Sequence, residues 1–253
     1  MTTPPTYVPG HALLAGKGVL ITAAAGTGIG AATARKCVEE GARVVISDKH
    51  ERRLAETALE LGVHAIACDV TNEDDVQRLV REAAIHLGGV DILVNNAGLG
   101  GSAQVHEMTD EQWSVVLDVT LTGTFRMTRA MLNHMYPRGS GVIVNNSSVL
   151  GWRAQVEQAH YAAAKAGVMA LTRATAMEAA AHGVRVNAVA PSIAMHAFLA
   201  KVTSDELLNE LSQREAFGRP AEPWEIANVI VFLASDYSSY MTGEVVSVSS
   251  QHA

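Results

Sequence analysis

Apolar residues along this chain gather in short, β-branched runs set apart by longer stretches of helical period. The runs at 19–22, 42–47, 64–68, 90–94, 141–148, 184–190 and 244–248 read as buried strands. Between them lie helices with recognisable starts and stops. One follows a glycine-rich turn and continues to Glu40, where Gly41 ends it. Another starts at Thr71 and Asn72, ahead of the acids Glu73 and Asp74, which suit a helix N-terminus. Thr109 with Gln112 makes a capping-box pattern for a third. The span 157–182 predicts a long helix closed by Gly183, and further helices start at Asp205 and Pro223. Strands that alternate with helices predict an α/β fold: a single Rossmann-type domain with a doubly wound parallel sheet of about seven strands and helices on both faces. That domain covers 16–253, after a loosely held arm at 1–15, and its most variable stretch, 192–220, is the substrate-loop region.

Two stretches carry chemistry. The first strand opens into Ala23-Ala24-Ala25-Gly26-Thr27-Gly28-Ile29-Gly30, and the next strand ends at Asp48. Glycines there let backbone approach a pyrophosphate, whose charge suits the N-terminus of the helix that follows. Asp48 is placed to accept hydrogen bonds from the adenosine ribose hydroxyls and faces a 2′-phosphate with like charge. NAD is therefore the expected cofactor. NADP is second, because the neighbouring Lys49 softens that repulsion.

The other stretch is Ser148 at the end of the fifth strand, with Tyr161 and Lys165 on the helix beyond it. Four residues apart, Tyr161 and Lys165 share a helix face. A free phenol titrates near ~10, and an adjacent ammonium is expected to lower that value. Ser148 is placed to hydrogen-bond a carbonyl or carbinol oxygen. The three together form a device for moving a proton to or from an alcohol oxygen.

Composition narrows the reading further. Hydrophobic residues make up 48% and charged residues 18%, a profile suited to a large core and to surface buried in an oligomer. A net charge of −7 leaves no basic surplus for nucleic acid. Cys37 and Cys68 sit in apolar segments and read as reduced thiols, neither a disulfide nor a metal pair. No apolar stretch is long enough to span a bilayer, and the first ten residues lack a signal-peptide pattern, so a soluble cytoplasmic protein is expected.

The glycine-rich turn, Asp69-Val70, Asn95-Asn96-Ala97-Gly98, Ser148, Tyr161-x-x-x-Lys165, and Asn187 leading to Pro191 together resemble the short-chain dehydrogenase/reductase family. The likeness covers the chain beyond the arm. It implies that Tyr161 is the general acid/base, that Ser148 holds the substrate oxygen, and that Lys165 binds the nicotinamide ribose and tunes the tyrosine. It also implies that Asp69, Val70, Asn96, Ala97 and Gly98 border the adenine–ribose portion and that Pro191 and Ile193 line the nicotinamide. Four departures stand out: Ala24 replaces the usual first glycine; Thr120 replaces the usual asparagine; the segment after Pro191 has Ser192 for a glycine together with His196 for a threonine; and the ending Ser249-Ser250-Gln251-His252 differs. In relatives the asparagine helps hold a relay water, so Thr120 is the fourth catalytic candidate.

The turn sequence, Gly151-Trp152-Arg153-Ala154-Gln155 and Ala190-Pro191-Ser192-Ile193-Ala194 are similar to an actinobacterial branch. That branch is associated with steroid C/D-ring degradation and acts on hydrindane-type CoA thioesters. Trp152, Arg153, His196 and Phe198 are the substrate candidates, with a mobile lid after His196. His160 reads as a helix-surface residue, and the methionines at 127, 131, 135, 169 and 177 as core or subunit packing. The resemblance implies a homo-oligomer, a tetramer or a dimer, in which the Tyr161 helix pairs across subunits. The leading function is an NAD(P)-dependent alcohol dehydrogenase or ketone reductase with a bulky apolar substrate. A 3-oxoacyl-thioester reductase and a nucleotide-binding scaffold with little turnover are the alternatives.

Overall fold

A seven-stranded parallel sheet in the order β3-β2-β1-β4-β5-β6-β7 forms the centre of the computed structural model, which describes residues 5–195 and 205–250. The strands are β1 Gly18–Ile21, β2 Arg43–Asp48, β3 His64–Ala67, β4 Ile92–Asn95, β5 Gly141–Asn146, β6 Val184–Pro191 and β7 Val245–Val248. The described helices are α1 Ile29–Glu39, α2 Glu51–Leu61, α3 Glu73–Leu87, α4 Asp110–Leu117, α5 Gly123–Met135, α6 Ala159–Ala179, α7 Asp205–Gln213 and α8 Pro223–Ala234.

Successive strand residues point to opposite faces, so each strand serves two cores. Leu20, Val45, Leu93, Ile143 and Val186 pack with α3, α5 and α6. Val19, Ile21, Val44, Ile46, Val94, Val144 and Val189 pack with α1, α2 and α8. Burial on both faces explains why the strands read as continuous apolar runs. The order of strands reverses between β1 and β4. In such sheets a ligand binds at that switch, beyond the carboxyl ends of the strands.

Several expectations shift in detail. β5 ends at Asn146, and Ser148, still extended at φ −164° and ψ 153°, instead caps a short 3₁₀ turn at Val149–Gly151. The long helix starts at Ala159, and its last turn at Ala180–His182 is 3₁₀. The region opened by Thr109 is not one continuous α-helix. A π-helical turn at Asp118–Thr122 separates α4 from α5.

The described part of the N-terminal arm, from Pro5, contacts the domain at several points. Among its described residues, Tyr7 donates its hydroxyl to Glu39 at 2.6 Å and sets its ring edge against Trp224. The Glu40 carboxylate accepts the backbone N–H groups of His11 and Leu13 at 2.8 and 3.0 Å, and Leu14 is wholly buried. The segment is strapped onto α1 and α8 because Glu40, buried at the end of α1, needs partners for its charge. His196, Phe198, the first half of the expected lid and His252 lie outside the described residues.

Candidate active site

The dinucleotide end is built at the β1–α1 turn. Gly28, at the N-cap of α1, has no side chain to cap the first helical N–H groups. Gly26 takes φ +91°, open to glycine at little cost, and donates its N–H to Thr57 Oγ1 at 2.9 Å. A Cβ at Gly30 would stand 2.4 Å from Ala23 O and 2.5 Å from Asn96 Nδ2, so only glycine lets α1 approach the sheet so closely. Asp48 is held at the end of β2, where its carboxylate accepts the N–H groups of Ala25 at 3.3 Å and His50 at 2.9 Å. A glycine-rich turn leading into a helix N-terminus, with a carboxylate opposite, fits a pyrophosphate and a ribose diol.

Three cofactor candidates change meaning here. Ala24 is fully buried and donates its N–H to Ser47 O at 3.0 Å, so it supports the turn from beneath. Val70 packs into the core, where a Cβ on Gly123 would meet its Cγ2 at 2.7 Å. Asp69 Oδ1 accepts the N–H and hydroxyl of Thr71 at 2.9 and 2.8 Å. Asp69 still borders, with Lys49, His50, Cys68 and Arg78, a cleft of about 390 Å³ at the edge of the β2 and β3 ends. Thr27 remains on the turn, exposed, and Ile29 is the first residue of α1.

The β4 end is tied down by a residue that sequence reading passed over. Thr22 Oγ1 accepts the N–H groups of Asn96 and Ala97 at 3.0 and 3.2 Å. The Asn96 side chain donates to Ala23 O at 2.9 Å and accepts from Asn146 Nδ2 at 2.8 Å, which joins β1, β4 and β5 just past their carboxyl ends. Beneath this lies a buried relay of amides and hydroxyls. Asn95 Nδ2 donates to Asn145 Oδ1 at 2.9 Å, and Asn145 Nδ2 donates to Thr172 Oγ1 at 2.9 Å, which fixes α6 against the sheet.

Ser148, Tyr161 and Lys165 come together where β5 meets α6. Ser147, next to Ser148, donates its hydroxyl to Lys165 O at 2.9 Å and so locks the helix register to the strand end. Lys165 is buried, donates Nζ to Asn146 O at 2.6 Å, and stands 5.5 Å from the Tyr161 ring centroid. A hydrogen bond links Ser148 and Tyr161. The expected lowering of the phenol does not occur. Burial pushes Tyr161 up to about 12, against the opposing pull of the Ser148 hydrogen bond. Burial also pulls Lys165 down to about 8, so the cation is itself weakened.

The remaining candidates vary. Pro191 is buried at the end of β6, and Ile193 just beyond it accepts the Ala221 N–H at 2.9 Å. Trp152 is half exposed and Arg153 partly buried, both directly after the Ser148 turn. Thr120 is fully buried and bonded to Leu99. His160 is not on the helix surface: it is buried, its Nδ1 has no hydrogen-bond partner among the described residues, and burial lowers its pKa. Its Nε2 presses on Gly101, where a Cβ would stand 2.9 Å away. Of the five methionines, 127, 131, 135 and 169 are core residues, whereas Met177 is 80% exposed.

A doubly wound sheet with this turn and this Ser–Tyr–Lys set defines a class, and residues 23–250 match the family model described as enoyl-(acyl carrier protein) reductase. The chain belongs to the short-chain dehydrogenase/reductase family, and it is a nicotinamide-dependent oxidoreductase that interconverts a secondary alcohol and a ketone. It is 61% identical, over 100% of its own length and 99% of the relative's, to the (5R,7aS)-5-hydroxy-7a-methyl-1-oxo-2,3,5,6,7,7a-hexahydro-1H-indene-carboxyl-CoA reductase of Mycobacterium tuberculosis. It is 42% identical to the cis-4-hydroxycyclohexanecarboxylate dehydrogenase of Sinomonas cyclohexanicum, over 91% of this chain and 94% of that one. A crystal structure of a short chain dehydrogenase from Mycobacterium smegmatis superposes with a TM-score of 0.89, at 57% identity and 99% coverage of both chains.

Proposed function

We propose that this enzyme uses NAD to interconvert a ring hydroxyl and a ring ketone on a fused bicyclic CoA thioester. The observation that carries the reading is the meeting of Ser148, Tyr161 and Lys165 at the β5–α6 junction, in a chain 61% identical to a reductase of such a thioester. The glycine-rich turn at the N-terminus of α1 holds the pyrophosphate, Asp48 the adenosine ribose hydroxyls, and Lys165 the nicotinamide ribose. When bound, the nicotinamide supplies or accepts the hydride at the substrate carbon. Ser148 Oγ donates a hydrogen bond to the substrate oxygen and orients it. With its pKa at about 12, Tyr161 is protonated at neutral pH, the form that gives a proton to the oxygen of a ketone being reduced. In the reverse direction the phenol must first lose that proton, which the buried site resists. Trp152 and Arg153 form the wall toward the acyl-CoA.

We also propose a homo-oligomer, a tetramer or dimer, in the cytoplasm. Phe125 on α5 and Met177 on α6 leave large apolar surface outside one protomer, which supports association.

The test is nicotinamide absorbance with NAD and NADP against bicyclic hydroxy- and oxo-CoA thioesters, free steroids and short 3-oxoacyl thioesters. Turnover of the bicyclic thioesters with NAD is expected. The Tyr161→Phe variant should lose about 10²- to 10⁴-fold in kcat. Activity confined to short 3-oxoacyl thioesters would overturn the substrate assignment, and full activity in Tyr161→Phe would overturn the acid/base role.

A further inference from the structure

We infer that Glu157 and Gln158 are positioning residues for the substrate: they clamp the glycine-rich loop after β4 onto the start of α6, where it stands beside Tyr161 as one wall of the pocket. The inference deepens the proposed function and rests on its placing the substrate oxygen at Ser148 and Tyr161.

The loop Gly98-Leu99-Gly100-Gly101-Ser102 has three glycines in five residues, so its backbone has little preference of its own. Its two ends meet α6 at different points. A Cβ on Gly98 would stand 3.3 Å from Lys165 Nζ. A Cβ on Gly101 would stand 2.9 Å from His160 Nε2, so the loop backbone packs against the buried ring of the residue preceding Tyr161. The loop therefore runs along the reacting end of α6, from its lysine to the neighbour of its tyrosine.

Three hydrogen bonds from the segment ahead of α6 hold it there. Gln158, the N-cap residue of α6, donates Nε2 to Gly101 O at 2.7 Å. The Ala103 N–H donates to Glu157 O at 3.1 Å, and the Ser102 hydroxyl donates to the Glu157 carboxylate. Glu157 has φ +66°, a left-handed backbone that a residue with a side chain adopts rarely and keeps only where its surroundings impose it. It thus engages the loop through carbonyl and carboxylate together. Because α6 is a 21-residue helix with a buried face and the loop is glycine-rich and largely exposed, the clamp orders the loop and not the helix. Exposed Val105 beyond the loop, with Trp152 and Val156 on the clamping segment, flanks these bonds with apolar surface that suits a fused ring.

The test is steady-state kinetics of the Glu157→Ala/Gln158→Ala double variant with a bicyclic oxo-CoA thioester, beside calorimetric titration with NAD. KM for the thioester should rise about five- to tenfold, since two of the three bonds to the loop are lost. The value of kcat should stay within about twofold of the parent's, and NAD affinity should match the parent's, because the reacting groups and the dinucleotide turn are untouched. Glu157→Gln keeps an oxygen for the Ser102 hydroxyl and should leave KM unchanged. A parent-like KM in the double variant overturns the clamp. An equal loss of NAD affinity, or a fall in kcat at unchanged KM, shows a general loosening of the site and overturns it too. Should the double variant fail to fold, the exposed Ser102→Ala change decides: KM should rise about two- to threefold, and an unchanged KM refutes the positioning role. A parent that turns over only short 3-oxoacyl thioesters fails the proposed substrate and not the clamp, whose effect on KM is then read with that thioester. A parent inactive on both overturns the functional reading and the inference together.

Discussion

Tyr161 and Lys165 show how burial decides what two side chains can do. Both neutral forms are favoured, so the phenol keeps its proton while the lysine sits nearer neutrality than a free one. The lysine's pKa falls from an ordinary 10.5 to about 8 on folding. Folding therefore releases protons between those values, and stability rises as pH climbs from about 8 toward 10.5; below 8 the full cost of burying the cation is present. Lys165→Met should accordingly melt higher than the parent at pH 7 while losing turnover, and its advantage should shrink as pH rises through that window. Differential scanning fluorimetry across pH 7 to about 10.5 checks both signs. If the ammonium is what binds and orients, ketone reduction should decline above about pH 8 as Lys165 loses its charge, read from initial rates of nicotinamide oxidation.

At the scale of elements, buried amides do the joining. Asn187 in β6 donates to Met241 O at 2.8 Å and accepts the Glu244 N–H at 3.0 Å, so a single side chain holds the turn that delivers β7. Asn187→Ala leaves two part-buried backbone groups without this partner and should cost about 1–2 kcal/mol, measured as a lower denaturant midpoint at unchanged slope. In the sequence Asn187 is a mark of family resemblance without a physical reason, and these hydrogen bonds supply the reason. Capping was more legible. Thr109 and Gln112 do form the reciprocal capping box, and Asn72 does cap α3 by accepting from the N–H groups of Asp74 and Asp75. Those signals are local, so sequence carries them whole. The π turn at Asp118–Thr122 is different, because its widening is stabilised by Leu99, far away along the chain.

For the whole molecule, the N-terminal arm and the exposed apolar surface matter most. Glu40 is 2% exposed and holds the backbone N–H groups of His11 and Leu13. Glu40→Ala should cost roughly 3 kcal/mol in chemical denaturation, since a charged acceptor serving two buried-side donors is lost. It should also loosen the arm to proteolysis. On the opposite layer, Trp113 and Val115 on α4 join Phe125 and Met177 in exposing apolar area. Sedimentation velocity should accordingly give a species heavier than the 26.7 kDa protomer, and a monomer at working concentration would refute the oligomer.

The order of strands and helices and the meeting of Ser148, Tyr161 and Lys165 at one strand–helix junction were legible from the chain alone. Periodicity, glycine placement and helical spacing are short-range properties, and a family resemblance preserves them. What the chain alone did not decide depends on which distant groups share a buried space. The direction of the Tyr161 shift, the burial of His160, the retreat of Ala24 and Val70 into the core, and the strapping of the arm all follow from desolvation and from hydrogen-bond partners contributed by other elements. Thr120 is the clearest instance: as a residue type it suggests a weakened relay, and only its two bonds to Leu99 disclose that its hydroxyl is already committed.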